Sequence, residues 1–209
     1  KASYQGIKAG DPDAIVVTGG LATTGSNIAT ARHLYSTAVV IDDLDFIRDM
    51  YEAGAKGYFD ALGTHPYGGS APPEVKAGAI YFRRTEEQRQ VMLAFGDDST
   101  PMWATEFGWI TRCNVCDFGE HEPSEVSEQE QAEYLVRAYH YAEENWPWMG
   151  PMFIFSLDFG AVNWYEYCDP VRWYSILYRN NPKESPTSPL LQRQALNALK
   201  AMPKFPGRW

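Results

Sequence analysis

Four short apolar runs, separated by stretches with helical periodicity, constrain this chain more than any other feature it carries. The first run, Ala14-Ile15-Val16-Val17-Thr18, is closed by Gly19-Gly20 and offers an apolar or β-branched side chain at every position. A strand built that way buries both faces, which is the condition of a parallel sheet covered by helices. The others are Tyr58 to Thr64, Pro101 to Trp109 and Met152 to Leu157. Helices are expected between and around them. In residues 2–10, Tyr4, Ile7 and Lys8 fall at helical spacing and Gly10-Asp11-Pro12 stops the pattern. From Asp42 to Ala53, Leu44, Ile47 and Tyr51 share a face, acidic residues crowd the first turn, and Gly54 ends the element. Thr85 to Phe95 opens with a capping signal, Ser127-Glu128-Gln129-Glu130 caps a long helix reaching Glu144, and Pro189 to Met202 forms the last.

The resulting order alternates helix and strand throughout, and every long or chemically rich loop follows a strand. Strict alternation predicts a parallel α/β fold, with function-bearing loops gathered at the strand C-termini of a TIM barrel or a doubly wound sheet. No Gly-x-Gly-x-x-Gly and no Walker loop is present, which argues against a nucleotide-binding sheet. A whole barrel takes about 250 residues, whereas this sequence of 209 residues shows four strands. The expectation is a single domain, residues 1–209, forming half of a (β/α)8 barrel. A net charge of -9 excludes the clustered positive charge that nucleic acids and anionic membranes require. No apolar run approaches the roughly 20 residues of a membrane-spanning helix.

Within the third run, Pro101-Met102-Trp103-Ala104-Thr105-Glu106-Phe107-Gly108-Trp109, stands one carboxylate among apolar neighbours. A lone buried Glu is costly unless it is paired or has a task, so Glu106 is either a site residue or an ion-pair partner, for instance of Arg112. The second run ends in His65-Pro66-Tyr67-Gly68-Gly69, which brings an imidazole and a phenol to a strand end.

These residues carry a resemblance. Asp11-Pro12-Asp13-Ala14-Ile15-Val16-Val17, Phe59-Asp60-Ala61-Leu62-Gly63-Thr64-His65-Pro66-Tyr67 and Pro101 to Trp109 resemble strands five, six and seven of the retaining glycoside hydrolases of clan A, and are most similar to families 39 and 5. The resemblance covers nearly the whole chain. It implies that the chain is strands five to eight of the barrel and that Glu106 is the nucleophile. It also implies that His65 and Tyr67 touch the nucleophile and the reacting sugar, and that an aromatic near the end of strand eight, Trp164 or else Phe155, forms the sugar platform. The acid/base Glu of the family lies at the end of strand four, which would precede Lys1. The remaining half of the barrel is then expected from the same or another chain, an upstream segment having been removed.

Retaining hydrolysis uses two carboxyl groups about 5–5.5 Å apart, one attacking the anomeric carbon and one acting as acid and then base. The attacking group must stay ionised, and a Tyr hydroxyl and an imidazole can supply the donors. Trp109, just past the third strand, is a candidate ligand-facing ring or core residue, and Trp103 is assigned to the core. Asp158 either lines the site or caps the turn after the fourth strand. The aromatic excess of 7 Trp, 13 Tyr and 10 Phe suits flat, uncharged ligands such as sugars. No cofactor is expected.

Cys113 and Cys116 lie in one strand-exit loop and Cys168 in the next. An exported protein favours a disulfide from Cys168 to one of the pair, with free thiols second and a zinc site including His121 third. The expected function is hydrolysis of β-linked oligo- or polysaccharides in a secreted or extracytoplasmic setting. The alternative from another class is a non-catalytic carbohydrate-binding or assembly protein built on a partial barrel.

Overall fold

The computed structural model describes residues 1–22, 41–118, 124–162, 164–179 and 189–205. Helix α1 (Ala2–Gly10) leads to strand β1 (Leu21–Ala22). Helix α2 (Asp43–Glu52), strand β2 (Leu62–His65), helix α3 (Arg84–Ala94) and strand β3 (Met102–Phe107) follow in alternation. After the short strands β4 (Ile110–Thr111) and β5 (Glu125–Val126) come helix α4 (Glu128–Asn145) and strand β6 (Met149–Ile154). Two 3-10 turns, Phe159–Ala161 and Pro170–Tyr174, a hairpin-like pair β7 (Leu177–Tyr178) and β8 (Leu191–Gln192), and helix α5 (Gln194–Ala201) complete the order.

The central sheet is parallel, ordered β1-β2-β3-β6. It is open: the described residues do not close it into a barrel. The first apolar run does not form the edge strand as the sequence predicts. It touches β2 through one bridge, Val17 to Ala61, and the ladder proper shifts to Leu21–Ala22 beyond the two glycines. Ile15 within the run is 58% exposed.

Alternation along β3 decides what faces the helices. Met102 and Ala104 are fully buried, while Trp103 and Thr105 turn to the other face. Trp103, assigned to the core by sequence, is therefore only partly buried. The core lies between the sheet and its helices and is built from Ile47, Leu62, Met92, Met102, Phe107 and Leu135, with Phe82 stacked on Trp146 at 4.9 Å. Buried hydrogen bonds tie the layers: Thr64 donates to Gln88 at 2.6 Å, and Gln88 donates to Asp43 at 2.8 Å. Arg84 braces the same corner through Asp42 and Asp43.

Of the two capping signals in the sequence, one forms, and Asp42 adds a cap that was not anticipated. Asp42 accepts from the Leu44 amide, and Ser127 with Glu130 forms a full capping box. Helix α3 instead begins at Arg84 without a side-chain cap. Thr85 lies inside its first turn, with a buried hydroxyl that has no partner among the described residues. Strand β6 starts three residues earlier than expected, through Gly150-Pro151. At the end of the sheet order, a proline costs no ladder bond on the open side.

Candidate active site

Because the four strands run the same way, their C-terminal ends share one edge, and the loops leaving β2, β3 and β6 meet there. The β2–β3 register pairs Thr64 with Ala104, so His65 and Thr105 come next, side by side. On the other side of β3, Ala104 pairs with Met152 and Phe107 with Ile154, three steps on β3 against two on β6. The extra residue is a bulge. Its effect is that Thr105 and Glu106, adjacent in sequence, are both partly exposed and both reach the same imidazole, instead of pointing to opposite faces.

At the centre, Glu106 Oε2 accepts a 2.5 Å hydrogen bond from the Tyr67 hydroxyl and lies 3.4 Å from His65 Nδ1. The other imidazole nitrogen, Nε2, is 3.0 Å from Thr105 Oγ1. Glu106 keeps 36% of its side chain exposed, while His65 keeps 19%. Among the described residues one carboxylate oxygen, Oε2, is held and Oε1 takes no hydrogen bond. Glu106 forms no ion pair with Arg112; its partners are Tyr67 and His65.

Burial drives the Tyr67 hydroxyl far above the usual phenol range, and the adjacent Glu106 charge adds to it. Burial also lowers His65 below the usual imidazole value, against the pull of Glu106. Both groups are neutral near pH 7. Tyr67 supports the carboxylate by a hydrogen bond and His65 lies against it at 3.4 Å, neither bringing a full positive charge.

Tight packing fixes this arrangement. A Cβ on Gly20 would fall 1.9 Å from His65 Nε2 and 2.5 Å from Thr105 Oγ1, so the residue just before β1 closes over that hydrogen bond. A Cβ on Gly68 would meet the Trp109 ring at 1.9 Å, and one on Gly108 the Phe155 carbonyl at 2.6 Å. Trp109, a candidate ligand-facing ring in the sequence, is 1% exposed, with its Nε1–H donating to the Ala71 carbonyl at 2.8 Å. It has no face to offer a ligand and instead supports the turn that carries Tyr67.

The Tyr67 ring meets Tyr174 at 5.2 Å and Phe155 at 6.0 Å. From Phe155 a succession of rings leads outward, to Phe159 at 4.9 Å, Tyr165 at 5.4 Å and Trp164 at 6.2 Å. Trp164 is 81% exposed at its end. Of the two sequence candidates for a platform, Phe155 thus sits beside Tyr67 and Trp164 at the rim. Asp158 does not cap the turn that follows it. It takes a 3.2 Å ion pair from Arg179, and its Oδ1 has no hydrogen-bond partner among the described residues. Sequence reasoning missed Thr105, Gly20 and Tyr174. The first two act through a bulge and a close approach that leave no motif, and the Tyr174 hydroxyl, pushed up to about 12 by burial, belongs to a 3-10 turn.

Cys116 and Cys168 form a disulfide that joins the loops leaving β3 and β6, and Cys113 is a buried free thiol. With two of the three sulfurs bonded to each other, the zinc arrangement considered from sequence does not form. His121 lies outside the described residues. Among those residues no group of three or more His, Cys, Asp or Glu is placed to hold a metal ion.

No family model matches the chain, and no curated protein matches it. Solved structures with a similar chain path include a GH128 (subgroup II) endo-beta-1,3-glucanase from Sorangium cellulosum. It is 21% identical with a TM-score of 0.44, and the match covers 78% of this chain and 49% of that one. A glucosidase from Croceicoccus marinus is 19% identical with a TM-score of 0.49, the match covering 83% of this chain and 31% of that one. The chain therefore spans half or less of the length of these structures.

Proposed function

We propose that this chain carries the nucleophile of a retaining glycoside hydrolase acting on β-linked sugars, with Glu106 attacking the anomeric carbon. The observation that supports this most is the asymmetric holding of Glu106. At the C-terminal edge of a parallel sheet one oxygen is fixed by Tyr67 at 2.5 Å and flanked by His65 at 3.4 Å, while the other takes no hydrogen bond among the described residues. A purely structural carboxylate would have both oxygens satisfied or a cationic partner. This one has no cationic partner among the described residues and keeps 36% of its side chain exposed, as suits a nucleophile toward a neutral sugar.

In this reading Glu106 Oε1 bonds to the anomeric carbon as the glycosidic oxygen departs with a proton from the acid/base carboxyl, and water, giving a proton back to that carboxyl, then displaces Glu106 from the same carbon. Tyr67 supports the developing ester by its hydrogen bond to Oε2. His65 orients the same oxygen. Phe155 and Trp164 supply ring faces for the C–H patches of the sugar, and Asp158 serves only to anchor Arg179. The acid/base carboxyl comes from outside this chain, on the polypeptide that completes the barrel; the resemblance to clan A families implies as much. Secretion fits the disulfide, since oxidising compartments preserve such bonds.

The test is intact mass and peptide mapping after incubation with 2,4-dinitrophenyl 2-deoxy-2-fluoro-β-glycosides of several sugars. The activated leaving group needs no general acid, so the adduct can form even where the acid is remote. An adduct on the Glu106 peptide, lost in Glu106→Gln, is the expected result. A folded protein that binds oligosaccharide yet gains no adduct would instead favour a non-catalytic carbohydrate-binding role.

A further inference from the structure

The hydrogen bond between Thr105 and His65 lies next to a close contact between the same imidazole and Glu106. Thr105 Oγ1, His65 Nε2, His65 Nδ1 and Glu106 Oε2 follow one another, at 3.0 Å and 3.4 Å across the two gaps. We infer that Thr105 is a positioning residue for Glu106, acting through His65: its hydroxyl donates to Nε2 and fixes the imidazole as the Nδ1–H tautomer. This rests on the reading of Glu106 as nucleophile.

The direction of each bond follows from what the groups can do. An ionised carboxylate only accepts, so a favourable Nδ1 contact needs the proton on Nδ1. A neutral imidazole then has a lone pair on Nε2, and the partner there must donate. Thr105 can, because a hydroxyl both donates and accepts. Free imidazole side chains favour the opposite tautomer, with the proton on Nε2, so a device is required to hold the less common one.

Two features of the fold supply it. The β-bulge between Ala104 and Phe107 brings Thr105 and Glu106 to the same side, so that one imidazole can bridge consecutive residues of a strand. Gly20 closes over the Nε2–Oγ1 pair, where even a methyl group would overlap both atoms, and this keeps competing donors from Nε2. Burial, which disfavours the charged ring, keeps His65 from carrying both protons.

Two-bond 1H–15N correlation spectra of uniformly labelled protein at pH 7.5 report the tautomer directly, His65 being assigned by its loss in His65→Gln. Wild type is expected to show an unprotonated Nε2 and a protonated Nδ1. Thr105→Val, nearly isosteric, should move the pattern toward Nε2–H, and Thr105→Ser should restore it. A wild-type Nε2–H ring, an imidazolium, or a pattern unchanged in Thr105→Val would overturn the assignment.

Labelling of Glu106 by the dinitrophenyl fluoroglycoside adds a functional readout. Thr105→Val should slow labelling roughly three- to tenfold and Thr105→Ser by about twofold or less, the range of one hydrogen bond. Labelling unaffected by Thr105→Val refutes the positioning role. A Glu106 that is never labelled while the Nδ1–H tautomer is intact refutes the nucleophile and leaves the tautomer standing.

Discussion

Breaking the Cys116–Cys168 bridge should separate the stability of the chain from that of the site. The two cysteines are 52 residues apart in sequence, and closing a loop of that length in the unfolded chain removes conformational entropy equivalent to about 4 kcal/mol at room temperature. For a chain of about this size, each kcal/mol moves Tm by roughly 2–4 °C, so Cys116→Ser/Cys168→Ser should melt roughly 8–16 °C lower. The comparison is best made in a Cys113→Ser background, which prevents the buried thiol from re-pairing. Scanning calorimetry gives Tm, and urea titration gives an independent midpoint. The effect should also reach the site. Cys116 packs with Trp173 and Tyr174 against the small cluster of Ile110, Cys113 and Phe118, and Tyr174 holds the ring of Tyr67 at 5.2 Å. A loosened loop should therefore slow Glu106 labelling in protein that is still folded. If Tm falls by less than about 3 °C, the loops are held by aromatic packing alone, and the entropic reasoning fails for this bridge.

Tyr67→Phe removes one charge-assisted hydrogen bond to Glu106, a class of interaction contributing about 1.5–3 kcal/mol, and should slow labelling roughly 10- to 150-fold with the fold intact by circular dichroism. Gly20→Ala should lower both the melting temperature and the labelling rate, because its Cβ overlaps His65 and Thr105; a variant of unchanged stability and rate would show that the backbone just before β1 gives way. Glu86, although burial opposes ionisation, is held down at about 2 by Arg83, Lys76 and Trp146. Since its folded value lies below the ordinary 4.5, its contribution is present above that pH and is lost as pH falls toward 2. The drop corresponds to roughly 3 kcal/mol, which solvent screening reduces to about 2; urea midpoints measured from pH 6 to pH 3 should decline more steeply in wild type than in Glu86→Gln.

The helices were legible because their signals are local. Tyr4, Ile7 and Gly10 bound α1, Leu44, Ile47 and Tyr51 share the face of α2, and Ser127 with Glu130 caps α4. Strand ends were less so, because a β-branched run states only that a residue suits a sheet, not that a neighbour is there. Ala14 to Thr18 has the composition of a buried strand and forms one isolated bridge, whereas Pro151, outside the expected strand, sits inside β6. At the site, Glu106, Tyr67 and His65 stood out as polar groups at the ends of apolar runs, and the structure brings these three together. Trp109 could not be sorted, since a tryptophan beside a strand end looks alike whether it floors a pocket or props a turn. Thr105 was hidden by the alternation rule itself: without the bulge it would face away from Glu106.

His65, Tyr67, Thr105 and Glu106 all belong to the unit β2–α3–β3, within residues 62–107, so the reactive cluster is inherited as one cassette. The elements around it contribute mainly by leaving room, Gly20 by having no side chain and Gly108 by letting β6 approach. Recombination breakpoints placed in the loops before Leu62 and after Trp109 should then preserve the cluster, provided that a glycine stands just before the incoming first strand. In such chimeras the backbone amides of β2 and β3 should be among the slowest in the molecule to exchange with solvent.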